Sequence, residues 1–247
     1  NFQEHPDPRI AHRTSPTNIG LYLLSVASAK EFGWIGLGDA TARLERTMAT
    51  LQRMETYRGH LYNWYDTQDL RPLDPKYVST VDSGNLAGHL IALANYCEQW
   101  IVEPSDNLAR LDGLDDILNI LAETLAAIPN DRRNLRPIRK EFDTKLVAFQ
   151  RSITNARKNP ELFPLRLIEF AVQSTGIHST VADIEKELNS LAGRQLLNWA
   201  NALRETIETH FRDGSASQET LHNWRKRLEK LAGEARTFAL QMDFAFL

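Results

Sequence analysis

Residues 59–88, GHLYNWYDTQDLRPLDPKYVSTVDSGNLAG, set the tightest constraint on what this chain can fold into. Pro72 and Pro75 each lack an N–H and restrict the residue before them, so no helix can run through the segment. On either side the sequence has helical periodicity, so an irregular stretch must be held between two helices. Its composition is that of a ligand surface. Tyr62, Trp64 and Tyr65 supply flat rings, Asp66 and Asp82 carboxylates, and Asn63 and Asn85 amides. If the stretch is extended, alternation places Tyr62, Trp64 and Asp66 on one face and Asn63 and Tyr65 on the other. Rings that stack on pyranose faces, beside groups that fix hydroxyls, suit a sugar.

The chain has 247 residues, of which 42% are hydrophobic and 25% charged, enough for a sizeable core in one large domain or two small ones. A net charge of −3 gives no reason to expect nucleic acid or a membrane surface as partner. The single cysteine, Cys97, excludes an internal disulfide framework and argues against a cysteine-ligated metal. No run approaches the roughly 18 apolar residues that cross a bilayer, and nothing resembles a signal peptide. The first residue is Asn1, as expected of a piece of a longer or processed protein.

In chain order, residues 1–16 hold three prolines and read as an extended strap. Thr17 or Asn18 can cap a first helix reaching about Phe32. GWIGLG then ends it, and Asp39 can cap a second helix to about Tyr57 through Leu44, Met48, Leu51 and Met54. The short link implies an antiparallel hairpin. A third helix is predicted from Ser83 to about Val102, with Pro104 closing it. Further amphipathic helices are predicted at 106–128, 134–157, 161–175, 181–212 and 217–241. Their breaks fall at Ile128-Pro129-Asn130, Asn159-Pro160, Ser174-Thr175-Gly176 and Arg212-Asp213-Gly214-Ser215. Trp224 reads as a packing residue between helices. Tyr77–Val81 is only a short extended candidate, and the predicted fold class is all-α.

Asp66 and Asp82 are the candidate carboxylate pair, since glycoside chemistry usually needs two. The alternative is that Asp82 caps the following helix and Asp66 forms a turn. Arg13, Thr14, Ser15 and Asn18 can reach a site or satisfy a helix N-terminus. His60 and His89 lack metal-ligand spacing and read as structural. No metal motif, phosphate-binding glycine loop or nucleophile elbow occurs.

Five strings carry a resemblance: HPDPRIAHRTSPTN at the start, RTSPTNIGLYLLS (13–25), GHLYNWYDT (59–67), YVSTVDSGNLAGHL (77–90) and MDFAFL at the end. They closely resemble the cyclic β-1,2-glucan synthases and cover about 1–103 and the last ten or so residues. The resemblance implies a bacterial inner-membrane protein in which one module elongates β-1,2-glucan from UDP-glucose and a phosphorylase-like module trims it. Between these lies a β-1,2-glucanase-like (α/α) barrel on the cytoplasmic side, which closes the chain into a ring by transglycosylation. This stretch would supply part of that barrel at 1–103, a helical insertion at 104–236 and the start of the next barrel segment at 237–247.

On this resemblance Asp82 and Asp66 are supporting cleft carboxylates, and Asn63, Trp64, Tyr65, Asn85, Tyr62, Arg13 and Asn18 bind the glucan. The main acid, a glutamate in a Ser-Glu-Ala-Arg setting, would lie beyond Leu247. No metal or cofactor is implied here. The implied partners are β-1,2-glucan and the other modules of the polypeptide, with no nucleic acid. Barrel helices left without partners can also associate between molecules. Two competing readings are a hydrolytic β-1,2-glucanase-like domain and a non-catalytic helical scaffold.

Overall fold

The computed structural model describes residues 2–3, 5–103, 106–129 and 132–245. The predicted stop at Pro104, Asn130 of the predicted break, and the final two residues of MDFAFL lie outside these. The described residues form eight α-helices and a few short strands, an all-α fold. The chain divides into two compact units. Unit 1 comprises Asn1–Ser28, Ala40–Pro104 and Gln218–Leu247, and unit 2 comprises Ala29–Asp39 and Ser105–Ser217.

The chain begins with strands β1 (Phe2–Gln3), β2 (Arg9–Ile10) and β3 (Arg13–Thr14), then helices α1 (Pro16–Glu31) and α2 (Leu37–Leu51). Ser15, one residue before the first helix, accepts from the Asn18 N–H at 3.3 Å. The N-terminal cap is therefore Ser15, not Thr17 or Asn18. Helix α2 begins two residues before Asp39, which lies in its first turn. It also stops short of Tyr57. Residues 56–61 instead form the hairpin β4 (Thr56–Tyr57) and β5 (His60–Leu61), turned by Arg58 and Gly59 at φ 50° and 81°. Positive φ at both turn residues is what a two-residue hairpin loop requires. A side chain at Gly59 would also collide with the Gln241 carbonyl.

Strand β6 (Tyr65–Asp66) follows, and α3 (Thr80–Val102) begins three residues before the predicted start. Its cap is Ser79, whose hydroxyl accepts from the Asp82 N–H at 3.2 Å. Asp82 thus lies inside the first turn and is not the cap, and Tyr77–Val81 is no strand because the helix takes its last two residues. The final helix, α8 (Gln218–Leu240), packs lengthwise on α3 once the four helices of unit 2 have intervened: α4 (Asn107–Ala126), α5 (Leu135–Ala156), α6 (Phe163–Leu188) and α7 (Leu191–Gly214). Leu86, Leu90, Leu93, Cys97 and Trp100 of α3 and Leu228, Leu231 and Ala235 of α8 are buried in the core of unit 1. Arg236 holds Glu98 through two nitrogens at 3.2 and 2.8 Å, and Arg227 holds Glu45 at 2.7 and 2.5 Å. Trp224 is half-buried on α8.

In unit 2 each of α4 to α7 packs on the next and α7 returns against α4. They close around one core, in which Phe170 lies 5.4 Å from Phe149 and 6.2 Å from Phe163 between ring centroids. The predicted break at Ser174-Thr175-Gly176 is absent, and α6 runs unbroken to Leu188. The Ser174 and Thr175 hydroxyls donate back to the Ala171 carbonyl, so they bond within the helix instead of opening it. The Lys145 stem covers Gly176, and its ammonium bonds the Gly176 carbonyl and the Thr180 hydroxyl. The helix stops instead at Asn189, in the left-handed region at φ 44°, and Ser190 caps α7.

Unit 2 also clasps residues 33–38. Asp213 accepts from the Leu37 and Gly38 N–H groups at 2.6 and 3.2 Å, capping α2 from a distant helix. Thr209 accepts from the Gly36 N–H, Thr206 donates to the Trp34 carbonyl, and His210 Nε2 donates to the Gly33 carbonyl at 2.8 Å. Arg110 lies 3.6 Å from Asp213. Burial, and then the Arg110 charge, push His210 down to about 4. Burial raises the Asp213 carboxyl against the opposing pull of its N–H donors and Arg110.

Candidate functional site

Unit 1 holds every candidate residue of the sequence. Strand β3 pairs antiparallel with β6, setting Arg13 opposite Asp66 and Thr14 opposite Tyr65. The Pro-rich connector folds back on the same stretch: the Leu73 N–H donates to the Trp64 carbonyl at 2.8 Å and the Asn63 N–H to the Tyr77 carbonyl at 2.9 Å. The backbone polar groups of an irregular segment are thereby satisfied without a helix. Side chains alternate along it. Leu61, Asn63 and Tyr65 are buried, while Tyr62, Trp64 and Asp66 are half-exposed.

Tyr65 is committed to the fold. Its hydroxyl donates to the Glu55 carbonyl at 2.5 Å and accepts from the Tyr62 N–H at 2.8 Å, and its ring is fully buried. Burial raises its phenol above the ordinary range. Trp64, by contrast, keeps part of its ring open, with the Arg13 guanidinium 5.2 Å from the ring centre. Lys76 lies 5.6 Å from the centre of Tyr62. Beside this edge is a depression of about 320 Å³, lined by Arg9, Ile10, His12, Arg13 and Leu73.

Asp82 is the polar hub. Its Oδ1 accepts from the Thr17 hydroxyl at 2.5 Å and the Thr17 N–H at 3.3 Å. Its Oδ2 accepts from the Asn63 amide nitrogen at 2.9 Å, while the amide oxygen takes the Tyr77 hydroxyl at 2.5 Å and the Trp64 indole N–H at 2.7 Å. Asn85, one turn along α3, donates to the Thr17 hydroxyl at 3.1 Å. The carboxylate thus meets the N-terminal turns of both α1 and α3, where helix dipoles favour negative charge. Three donors fill three of its roughly four acceptor positions and leave room for one more on Oδ2.

Asp66 stands apart from this network. Its Oδ1 accepts from the Gln68 N–H at 2.8 Å, closing a turn that Leu70 completes at φ 64°. Asn18 is half-buried, its N–H bonding the Ser15 cap. The structure therefore brings together Asn63, Trp64, Asp82, Asn85 and Arg13, with Asp66 and Tyr62 on the same half-open face.

Sequence reasoning did not single out Thr17 as an Asp82 partner, nor Tyr77 as a partner of Asn63. Thr17 and Tyr77 lie within the quoted motif strings, which was the available signal. Buried His60 supports the hub from below: its Nε2 faces the Asp243 carbonyl at 3.0 Å and its Nδ1 the Ser83 hydroxyl at 3.0 Å. A carbonyl only accepts, so Nε2 carries the proton and Ser83 donates to Nδ1. Among the described residues no group of three or more His, Cys, Asp or Glu side chains is arranged to hold a metal ion, and no helix is long and apolar enough to cross a membrane.

No protein-family model matches the chain. Along its whole length it does match one class of enzyme, the cyclic β-1,2-glucan synthases. It is 44% identical over 248 residues to the cyclic beta-(1,2)-glucan synthase NdvB of Rhizobium meliloti (strain 1021), a match covering 100% of this chain and 9% of that protein. This supports the chain as a segment of such a synthase, in line with the motif strings, including the region of 104–236 where those strings are lacking.

Proposed function

We propose that this chain forms part of the glucan-binding cleft of a cyclic β-1,2-glucan synthase, in the region that closes a linear glucan into a ring. The observation that carries the reading is the hub itself: Trp64, with ring area still open, bonds through its indole to the same Asn63 that holds Asp82. A pyranose stacked on Trp64 would bring its hydroxyls to Asp82, Asn63 and Asn85, with Arg13, Tyr62 and Asp66 along the same edge. Buried Tyr65 fixes the segment from within, and Asn18 acts through the Ser15 turn.

Ring closure breaks one glucosidic bond and forms another to a hydroxyl at the glucan's far end. The leaving oxygen takes a proton from an acid, and the incoming hydroxyl yields one to a base. The free acceptor position on Asp82 suits orientation of a sugar hydroxyl so that it outcompetes water. The principal acid belongs to polypeptide beyond this segment, as the resemblance implies. In this reading residues 1–103, with α1, α2 and α3, belong to an (α/α) barrel. Most of α8 falls in the expected insertion at 104–236, but it packs on α3 within unit 1 and in this reading joins the barrel. That leaves unit 2 as the greater part of the insertion. The whole protein sits at the bacterial inner membrane, with this region on the cytoplasmic side and UDP-glucose used at another module. Exposed Leu21, Tyr22, Val81 and Ile91 on α1 and α3 fit helices that pack on further polypeptide or on a second copy.

The test is calorimetric titration of this chain with linear β-1,2-gluco-oligosaccharides, repeated with Trp64→Ala. Binding weakened about tenfold or more, roughly 1.4 kcal/mol, supports the cleft. Equal affinity in the folded variant removes Trp64 and the cleft placement with it. With the whole protein, open-chain products alone would favour a hydrolytic glucanase.

A second reading, a non-catalytic interaction module, is favoured by the outer face of α6. Leu165, Ile168 and Val172 are exposed there, near a groove of about 470 Å³ lined by Ala171, Thr175, Asn201 and Phe211.

A further inference from the structure

The loop FGWIGLG over residues 32–38 combines a pinned backbone with open side chains. Gly33 adopts φ +71°, where a Cβ would collide with the Ala109 carbonyl of α4. The Trp34 N–H donates to the Ala29 carbonyl at 2.8 Å, and four side chains of α7 hold the Gly33 and Trp34 carbonyls and the N–H groups of residues 36–38. A loop held so firmly for stability alone would turn its rings inward, since each buried Å² of apolar surface contributes about 25 cal/mol. Phe32 is instead 56% exposed and Trp34 40% exposed, with ring centroids 5.4 Å apart and planes tilted by 46°. The Trp34 indole N–H donates to Asp116 Oδ2 at 3.1 Å, which fixes the ring in its outward position.

We propose that Phe32 and Trp34 form a second saccharide platform, taking a neutral glucan chain, on unit 2. The groups beside the rings decide the class of ligand. Asp112 and Asp116 lie one turn apart on α4, so they share a face. Arg157 of α5 reaches Asp112 at 2.7 Å and Asp115 at 3.1 Å. An apolar helix or acyl chain on these rings would strip water from the Asp116 carboxylate while adding no donor to the Trp34 indole it already holds. Three carboxylates against the one Arg157 guanidinium leave a net negative face that disfavours a phosphate-bearing ligand. A pyranose satisfies both halves: its C–H face covers a ring and its hydroxyls donate to the carboxylates. Two tilted rings would meet successive residues of a bent chain. The choice of a glucan as ligand rests on the reading of unit 1 above, whereas the platform geometry stands independently of it.

Nitrogen-15 spectra of the chain would show indole N–H signals from five tryptophans, assignable by single Trp→Phe variants. Linear β-1,2-gluco-oligosaccharide should shift Trp34 and Trp64 along separate saturation curves. Phe32→Ala should weaken the Trp34 curve about tenfold and leave that of Trp64 unchanged. Asp116→Asn, which leaves both rings in place, should weaken the Trp34 curve as well. A still Trp34 signal while Trp64 shifts overturns the platform and leaves the unit 1 cleft standing. A shifting Trp34 with a still Trp64 does the reverse, and two still signals up to tens of millimolar glucan (roughly the weakest affinity of interest) overturn both.

Discussion

Asp82 in unit 1 and Asp213 in unit 2 use the same device to different ends. Each carboxylate accepts from the opening turn of a helix far away in sequence: Asp82 from Thr17 of α1, Asp213 from Leu37 and Gly38 of α2. Around Asp213 the arrangement is closed. Its side chain is 4% exposed, and Arg110 lies against it. Around Asp82 the donors are a hydroxyl, an N–H and an amide, among the described residues no cation is bonded to it, and the residue is half-exposed. A carboxylate sealed with its counter-charge serves to lock a loop. One held by neutral donors near the surface keeps an acceptor position for something else.

The largest expected effect tests the closed half. Asp213→Ala strands the Arg110 charge in the interior and uncaps two N–H groups, so stability should fall by about 3–5 kcal/mol. Urea unfolding monitored by circular dichroism measures it. A loss under about 1 kcal/mol would mean that the clasp relaxes to let Arg110 reach water, and the contrast with Asp82 would vanish.

Next comes pH, through the same clasp. His210 has a folded pKa of about 4 against an ordinary 6.5. Its contribution is complete above pH 6.5. As pH falls toward 4 the unfolded chain gains a proton that the folded one refuses, and about 3 kcal/mol is lost. The groups facing it are Arg110, which lowers it further, and Asp213 near the same loop. Asp213 acts in the opposite direction, because its raised pKa makes the folded state take up that proton first, offsetting part of the loss. Urea midpoints at pH 7, 5.5 and 4.5 should fall more steeply for the native chain than for His210→Gln. Parallel curves would remove His210 as the cause.

The same contrast explains what was legible in the sequence. Leu44, Met48 and Leu51 repeat at helical spacing, and all are buried on α2 as their periodicity requires. The alternation of residues 61–66 likewise appears as alternating burial. Both signals are local. The caps of α1 and α3 differ from those expected because several Ser, Thr and Asp residues stand within a few positions of each start, and the one that bonds is chosen by backbone geometry. The Asp213 cap on Leu37 comes from 176 residues away, and no pattern near residue 37 announces it. Ser174-Thr175-Gly176 read as a break because those residues favour turns when solvated. Here Ser174 is buried, both hydroxyls bond the Ala171 carbonyl, and Lys145 from another helix bonds the Gly176 carbonyl. At the candidate site, ring and carboxylate types were readable, but the sorting of Tyr65 inward and Trp64 outward depended on the Glu55 carbonyl that receives the Tyr65 hydroxyl.

The smallest stability change is expected where the functional change is greatest. Asp82→Asn keeps an oxygen for Thr17 but turns an NH2 group toward the Asn63 amide nitrogen. Asn63 cannot simply rotate, because its oxygen already takes the Tyr77 hydroxyl and the Trp64 indole. One hydrogen bond is lost near the surface, at a cost of about 1 kcal/mol, well below that of Asp213→Ala. In the whole synthase the same substitution should lower the yield of cyclic glucan while linear glucan still accumulates, because the change falls on the residue that would orient the acceptor hydroxyl. Unchanged ring formation by a folded Asp82→Asn enzyme would make Asp82 a clasp like Asp213. A stability loss of several kcal/mol would lead to the same conclusion by another route. Only the combination of a small structural cost and a selective loss of cyclisation keeps the two carboxylates in different roles.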